Sequence, residues 1–423
     1  MTVKEYRQLG ESMYSGQLAN GLSVFVAPKR GFHKCFAFFA TDYGAADKRF
    51  KLGGSWVDTP EGVAHFLEHK MFDKEDGNAL TKLSANGASP NAYTSTDITA
   101  YYFECIDSFP ENLQILLNFV STPYFTQEGV VKEQGIIAQE ILMAEDDPDD
   151  CLYYGLMKSL FRHNPIRDCA AGTLESIAEI SAETLYDCHK AFYNPSNMAL
   201  CVAGDVDPAE ILDIAQNALP SGSAAEIPER DYGPPETLDP VTPRFSKAMD
   251  VSLPIFLAGC KSEPVPCGRE SLRLDLISAI ALDILMGSSS PLYSRLYGQG
   301  LINSDFSASY DSAVGVAYSI FGGEVRDPDR VFDEVRNEIA RLSEKGPDTE
   351  LFNRIKKAAV GGYIRSLNSF EAICANTVCG RFRGYDAYEI PGILSDITES
   401  DVIEFLRGRL NSDRMAISVI TPN

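Results

Sequence analysis

Ile180-Ser-Ala-Glu-Thr-Leu185, followed by Met198-Ala-Leu-Cys-Val202, is the stretch that decides the fold. Both segments recur 217 residues later, as Ile397-Thr-Glu-Ser-Asp-Val402 and Met415-Ala-Ile-Ser-Val419. Each copy is a helix start followed by an apolar strand, and two matches at one offset read as a duplicated unit. So long an offset means tandem domains, not a solenoid. A chain of 423 residues suits two or three domains at the usual ~150 residues each. Between the copies, residues 221–243 read SGSAAEIPERDYGPPETLDPVTP, with five prolines and no helical or strand period. Proline-rich polar stretches bound domains. The expected organisation is therefore a first domain at 1–222, a linker at 223–244 and a second domain at 245–423.

Local patterns mix both kinds of structure. Gly21-Leu-Ser-Val-Phe-Val-Ala27 alternates and Cys35-Phe-Ala-Phe-Phe-Ala40 is apolar throughout, so both read as strands. Ile98-Thr-Ala-Tyr-Tyr-Phe-Glu-Cys105 is β-rich as well. Residues 127–145 carry a helical period through Val130, Val131, Ile136, Ile137, Ile141 and Leu142, and stop before Pro148. Residues 329–344 predict another helix, with Val331, Val335, Ile339 and Leu342 on one face. Strands and helices without strict alternation favour an α+β fold over a doubly wound parallel sheet.

Composition excludes more than it names. Lysine and arginine total 37 against 60 acids, a formal charge of −23. Nucleic-acid binders carry a basic face, and anionic membrane surfaces attract basic segments, so neither partner is expected. No stretch reaches the roughly 18 apolar residues of a membrane span. Residues 1–17 lack the apolar core of a secretory signal. Ten cysteines are scattered with no Cys-x-x-Cys pair. That pattern reads as reduced, mostly buried thiols, and the expected compartment is the cytoplasm.

Histidine is scarce, with five copies, and two of them stand together. His65-Phe-Leu-Glu68-His69 lies within Gly62-Val-Ala-His-Phe-Leu-Glu-His-Lys-Met-Phe72. Thr59-Pro-Glu61 precedes it and reads as a helix start with proline in the first turn and an acid beside it. One turn apart on a helix, two imidazoles can close on one tetrahedral ion. Glu68 flanks the same face, where a carboxylate not spent on the ion can take a proton from water. Chance supplies such a pattern about 0.01 times in a chain of this composition. It is the inverted form of the common zinc-protease helix signature. His33, His163 and His189 stand alone and read as surface or structural. A hydrolytic zinc site needs a third protein ligand and one open position. The helix over 127–145 offers Glu133, Glu140 and Glu145, and the first two lie two turns apart on nearly one face. One could bind metal while the other orients a ligand, and spacing does not choose between them. Glu145 reads as an exposed carboxylate.

These residues resemble the insulinase/pitrilysin-type zinc peptidases, in particular the bacterial branch similar to mitochondrial processing peptidase. The resemblance spans nearly the whole chain. It rests on His65-x-x-Glu68-His69, on Lys132-Glu-Gln-Gly-Ile-Ile-Ala-Gln-Glu140-Ile, on Asn86-Gly-Ala-Ser-Pro-Asn-Ala-Tyr-Thr94, and on Phe192-Tyr-Asn-Pro-Ser-Asn-Met198 with Ala203-Gly-Asp-Val206. It implies one zinc ion per chain held by His65, His69 and Glu140, with Glu133 in the outer shell, Glu68 as general base and Asn91 holding substrate backbone. It also implies two homologous α+β domains, each a mainly antiparallel sheet packed with helices, forming half of a clamshell around an unfolded peptide. The residues agree on one point, because no histidine follows His189. The 217-residue offset places Leu282, Leu285 and Met286 where His65, Glu68 and His69 stand. One departure matters. The family's Leu-Arg-x-x-x-Gly-Leu-x-Tyr pattern meets Leu296-Tyr-Gly-Gln-Gly-Leu-Ile-Asn303, with Tyr297 in place of arginine and Asn303 in place of tyrosine. Arg295 lies two places off. The expectation is a zinc endopeptidase in a heterodimer whose paralogous partner supplies that arginine and tyrosine, a homodimer being the other arrangement. The rival is a non-catalytic peptide-binding or scaffold subunit. Intact Glu68 speaks against it, since a structural zinc site needs four protein ligands and no base.

Overall fold

In the computed structural model, which describes every residue except Pro220 and Ser223, the described residues of the first half form eleven strands. They are β1 (Thr2–Tyr6), β2 (Glu11–Gln17), β3 (Ser23–Pro28) and β4 (Cys35–Thr41), the hairpins β5–β6 (Arg49–Leu52, Ser55–Asp58) and β7–β8 (Asp73–Lys74, Gly77–Asn78), then β9 (Ser89–Thr94), β10 (Thr99–Cys105) and β11 (Met198–Gly204). The second half supplies β12 (Arg244–Met249), β13 (Ile255–Ser262), β14 (Ser307–Ala313), β15 (Val316–Glu324) and β16 (Met415–Pro422). The first large sheet runs β1-β2-β3-β11-β4-β10-β9 and the second runs β12-β16-β13-β15-β14. Each holds one parallel pair, β3 with β11 and β12 with β16, and is otherwise antiparallel. The five strands from β3 to β9 repeat in the second sheet in the same order. Within them, Thr99 and Met198 open strands whose copies open at Val316 and Met415, again 217 residues on. The fold is α+β, and its duplication is visible in the sheet order.

The boundaries differ from the expected ones. The chain forms two compact units, one of Met1–Ile141, Cys169–Tyr232 and Ile364–Tyr388, the other of Leu142–Asp168, Gly233–Tyr363 and Glu389–Asn423. The expected domains 1–222 and 245–423 are thus interleaved: each half lends a helix to the other's sheet. The helix Phe370–Arg383 lies on β4 and β11, and Pro148–Leu160 lies on β12, β13 and β16. The cause is burial. Every residue of β4 and β11 is buried, so both faces of that sheet need an apolar cover. Phe370, Ile373, Cys374 and Val378 supply one side, against Phe36, Phe38 and Cys201. Leu156, Met157 and Leu160 do the same in the other unit, against Tyr318 and Ala416. Periodicity shows that a helix has an apolar face, not which sheet the face covers.

The expected linker is not a free tether. Its first position, Ser223, lies outside the described residues. In the first unit, the Arg230 guanidinium donates to Asp42 (Nη1–Oδ2, 3.0 Å) and the Tyr232 hydroxyl donates to Asp47 at 2.9 Å. In the second unit, the Glu236 carboxylate accepts the backbone N–H groups of Arg162 and Asn164 at 2.9 Å each. Backbone bonds add to these side-chain contacts: the Asp231 N–H donates to the Arg49 carbonyl at 2.9 Å and the Val241 N–H to the Ser159 carbonyl at 2.8 Å.

The solitary histidines sit as expected of them. His33 and His163 are exposed. His189 is buried, its Nε2 lies 3.1 Å from the Val120 carbonyl, and its ring stacks on Tyr193. Leu282, Leu285 and Met286 close the helix Arg269–Met286 and are buried in the second unit's core. The helix Pro328–Lys345 buries Val331, Val335, Ile339 and Leu342. Among the described residues no single helix is long and apolar enough to cross a membrane.

Burial lowers the His189 pKa to about 4 from an ordinary 6.5. The unfolded chain binds this proton below about pH 6.5, the folded chain only below about 4, so acidification across that window favours unfolding. Unfolding free energy from urea titrations should fall by about 3 kcal/mol through this group between pH 7 and pH 4. His189→Gln should flatten that part of the profile, and an unchanged slope would contradict the assignment.

Candidate metal centre

The motif helix spans Val63–Met71 and packs on β9 and β10. Thr59, Pro60 and Glu61 stay outside it, so neither proline nor acid occupies its first turn. Gly62 caps it instead, at φ +87°, in the left-handed region. A side chain there would collide with the Ala171 carbonyl, which makes this a position only glycine fills without strain. Val63, Ala64, Phe66, Leu67 and Met71 anchor the helix in the core. His65 and His69, one turn apart, are left facing out of it, with ring centroids 4.6 Å apart.

Opposite lies the helix Gln127–Asp146. Val130, Ile137 and Ile141 bury it, whereas Val131, Ile136 and Leu142 are exposed, so half of the expected apolar face meets water. The same buried stripe includes Glu133, which is 8% exposed. Glu140 is two turns on. Its Oε2 lies 3.7 Å from His65 Nε2 and 3.8 Å from His69 Nε2. Among the described residues these three side chains form the one group whose ligand atoms all approach within 4.8 Å.

Two imidazole nitrogens and a carboxylate oxygen are the donor set of a hydrolytic zinc site, with a fourth position open. Bonds of 2.0–2.2 Å in a tetrahedron set ligand atoms about 3.4 Å apart. The two separations from Glu140 need only a few tenths of an ångström of closure and all three donors lie within 4.8 Å of one another, so the residues fit the ion. Glu133 Oε1 meets His69 Nδ1 at 3.1 Å, the outer contact that fixes a metal-binding imidazole. Spacing left Glu133 and Glu140 interchangeable, and the geometry gives them different neighbours. Glu145 is exposed. His65 Nδ1 is buried and has no hydrogen-bond partner among the described residues.

Glu68 is 7% exposed and lies close enough to His69 and Glu140 to feel their charges. Its Oε2 accepts the Thr94 hydroxyl at 2.7 Å. Burial raises its pKa, opposed by the Thr94 hydrogen bond and by His69. Burial also lowers His65 to about 4, with His69 adding to the effect. In His69 burial acts downward too, but the Glu133 hydrogen bond and the charges of Glu140, Glu68 and Glu133 together raise it. Asn91 is exposed on β9, paired with Tyr102 of β10. Two partners escaped the sequence reading. Thr94 closes the segment quoted for Asn91 and shows only as a strand-end threonine. Lys70 follows His69 and is buried, its one signal being a charge in an otherwise apolar helix face.

The family model described as Insulinase (Peptidase family M16) matches residues 52–173, and that described as Peptidase M16 inactive domain matches residues 179–359. The chain is 36% identical to a protein named uncharacterized zinc protease YmfH of Bacillus subtilis, over 99% of this chain and 98% of that one. The chain belongs to peptidase family M16. A solved M16-like peptidase from Alicyclobacillus acidocaldarius matches with a TM-score of 0.94 at 34% identity, covering 98% of this chain and 99% of that one. A probable mitochondrial-processing peptidase subunit beta of Arabidopsis thaliana is 27% identical over 38% of this chain and 33% of its own. M16 membership and relatives named zinc proteases indicate a metallopeptidase, and they agree with the donor set above.

Zinc titrated against a competing chelator should separate the three glutamates. Glu140→Gln should abolish stoichiometric binding, Glu133→Gln should weaken it about 10- to 100-fold, and Glu145→Gln should leave it unchanged. Equal effects at 133 and 145 would remove Glu133 from the centre.

Proposed function

We propose that the protein is a zinc-dependent endopeptidase that hydrolyses unfolded peptides, with Glu68 as general base. The observation that carries this reading is a three-donor cluster of His65, His69 and Glu140 beside a buried carboxylate that is not among the three. A zinc ion held there supplies a Lewis acid for the scissile carbonyl and lowers the pKa of water. Glu133 holds His69 from outside the cluster. The Thr94 hydroxyl donates to one oxygen of Glu68 and leaves the other to act as base. Burial favours the protonated form of Glu68, so a proton taken from water can rest there until the leaving amine needs it.

Substrate binding follows from the sheet. β9 is an edge strand, and edge strands present unpaired backbone groups. An extended peptide adding beside Asn91 gains backbone hydrogen bonds without strict side-chain choice. Ten free thiols suit a reducing compartment, and we place the reaction in the cytoplasm.

A partner completes the site in this proposal. Tyr297 is exposed and stacked on Tyr293, Arg295 is paired with Glu334 at 2.9 Å, and Asn303 donates to Glu324 at 2.8 Å. None of them offers a free guanidinium to a substrate. A relative named as a processing-peptidase subunit supports a heterodimer with a paralogous chain. The same three residues favour the rival reading, a non-catalytic binding subunit.

Turnover of a quenched, unfolded peptide decides between them. Glu68→Gln should keep zinc at one per chain and lower turnover at least about 10²-fold, and Thr94→Val should lower it less, with Thr94→Ser restoring it. Undiminished turnover in Glu68→Gln would sink the mechanism. The second expectation concerns the partner: adding a paralogous chain should raise both the native mass and the turnover. Full activity of the purified chain alone, with no gain on mixing, would remove the partner.

A further inference from the structure

Lys70 is 3% exposed, and a buried ammonium is costly unless carboxylates face it. Two do. Its Nζ donates to Asp73 Oδ2 at 2.6 Å and lies 4.0 Å from Glu133 Oε2. The Asp73 side chain is 49% exposed, and a pair with it alone would form as well at the surface. It is the Glu133 side that takes the lysine into the protein. Gly129, one turn ahead of Glu133, leaves the space: a Cβ there would lie 3.1 Å from the Lys70 ammonium.

The Glu133 carboxylate is therefore held from both ends. Oε1 meets His69 Nδ1 at 3.1 Å and Oε2 faces Lys70. We propose that Lys70 is a positioning residue of the metal centre, fixing the Glu133 carboxylate so that it presents His69 Nε2 to the ion. This rests on the zinc-site reading above. Two effects compete in it. A lysine this near a cation site repels the cation, and removing it for that reason alone would tighten binding. Asp73 and Glu133 stand beside the ammonium and offset that repulsion, whereas loss of an outer contact to a metal-binding histidine weakens affinity about 10- to 100-fold. The positioning effect is the larger.

The test is zinc affinity by chelator competition at one fixed pH, with melting of the zinc-free forms alongside. Lys70→Met and Lys70→Gln should each weaken zinc about tenfold. In a Glu133→Gln background, Lys70→Met should change affinity less than about twofold, because the carboxylate it acts through is gone. Lys70→Gln keeps a donor for Asp73 and carries the test if the methionine variant does not fold. Unchanged or tighter binding, or an equal loss in both backgrounds, would overturn the inference. A parent chain that binds no zinc would sink the metal-centre reading itself. A parent that binds it while both Lys70 variants match it sinks the role of Lys70 alone.

Discussion

The site depends on one contact between helices far apart in sequence, the 3.1 Å approach of His69 Nδ1 to Glu133 Oε1 across 64 residues. Neither helix could hold the arrangement alone. The motif helix supplies two imidazoles one turn apart, and that spacing is a property of any helix. What selects a metal geometry is the third donor, and Glu140 arrives only because its helix is pinned two turns earlier. Val130, Ile137 and Ile141 bury that helix on the same stripe as Glu133. The buried carboxylate is thus a register mark: a rotation of the helix by one residue would move Glu133 from His69 and Glu140 from both imidazoles. Burying it is unfavourable unless partners face it, and His69 and Lys70 do.

Much of this was legible in the chain. Histidine is rare enough that two copies one turn apart with an intervening acid stand out, and a glutamate pair two turns apart is visible in any helical reading. The strands at 21–27, 35–40 and 98–105 showed because alternation and apolar runs are local properties. Illegible were the features fixed by contacts across the fold. Thr94 is an ordinary strand threonine until β9 lies beside the motif helix. The proline at 60 looked like a helix start, but Gly62 sets that start through its approach to the Ala171 carbonyl, 109 residues later in the chain. Half of the apolar set at 127–145 reads as core and is exposed, because Val131, Ile136 and Leu142 lie off the line of Val130, Glu133, Ile137 and Ile141.

The duplication illustrates the same division between local and distant information. The 217-residue offset survives in strand starts and in sheet order, since these are set by local β patterns and by short connections. It does not survive at the metal positions. Leu282, Leu285 and Met286 are core residues, and a core closes over any position that chemistry no longer keeps polar. Apolar side chains at these positions avoid a desolvation cost, so the copy without the three polar groups is the simpler fold and the one with the candidate donors carries the burden.

The helix exchange changes what the second half is for. Among the described residues it gives no donor to the candidate metal centre, yet Phe370–Arg383 covers β4 and β11, beside which β10 and, through β10, the motif helix are placed. Ion pairs and hydrogen bonds tie it there: Arg383 donates to Asp97 at 2.9 Å and Arg381 donates to the Ser23 hydroxyl at 2.9 Å. A sheet buried on both faces cannot keep one face bare without exposing Phe36 and Phe38. The unit around the candidate metal centre therefore cannot be defined by the donors it carries. The geometry that brings Glu140 within 4 Å of two histidines needs residues beyond 364, and mutations in that distant helix should act on the centre through the sheet rather than through any contact with it.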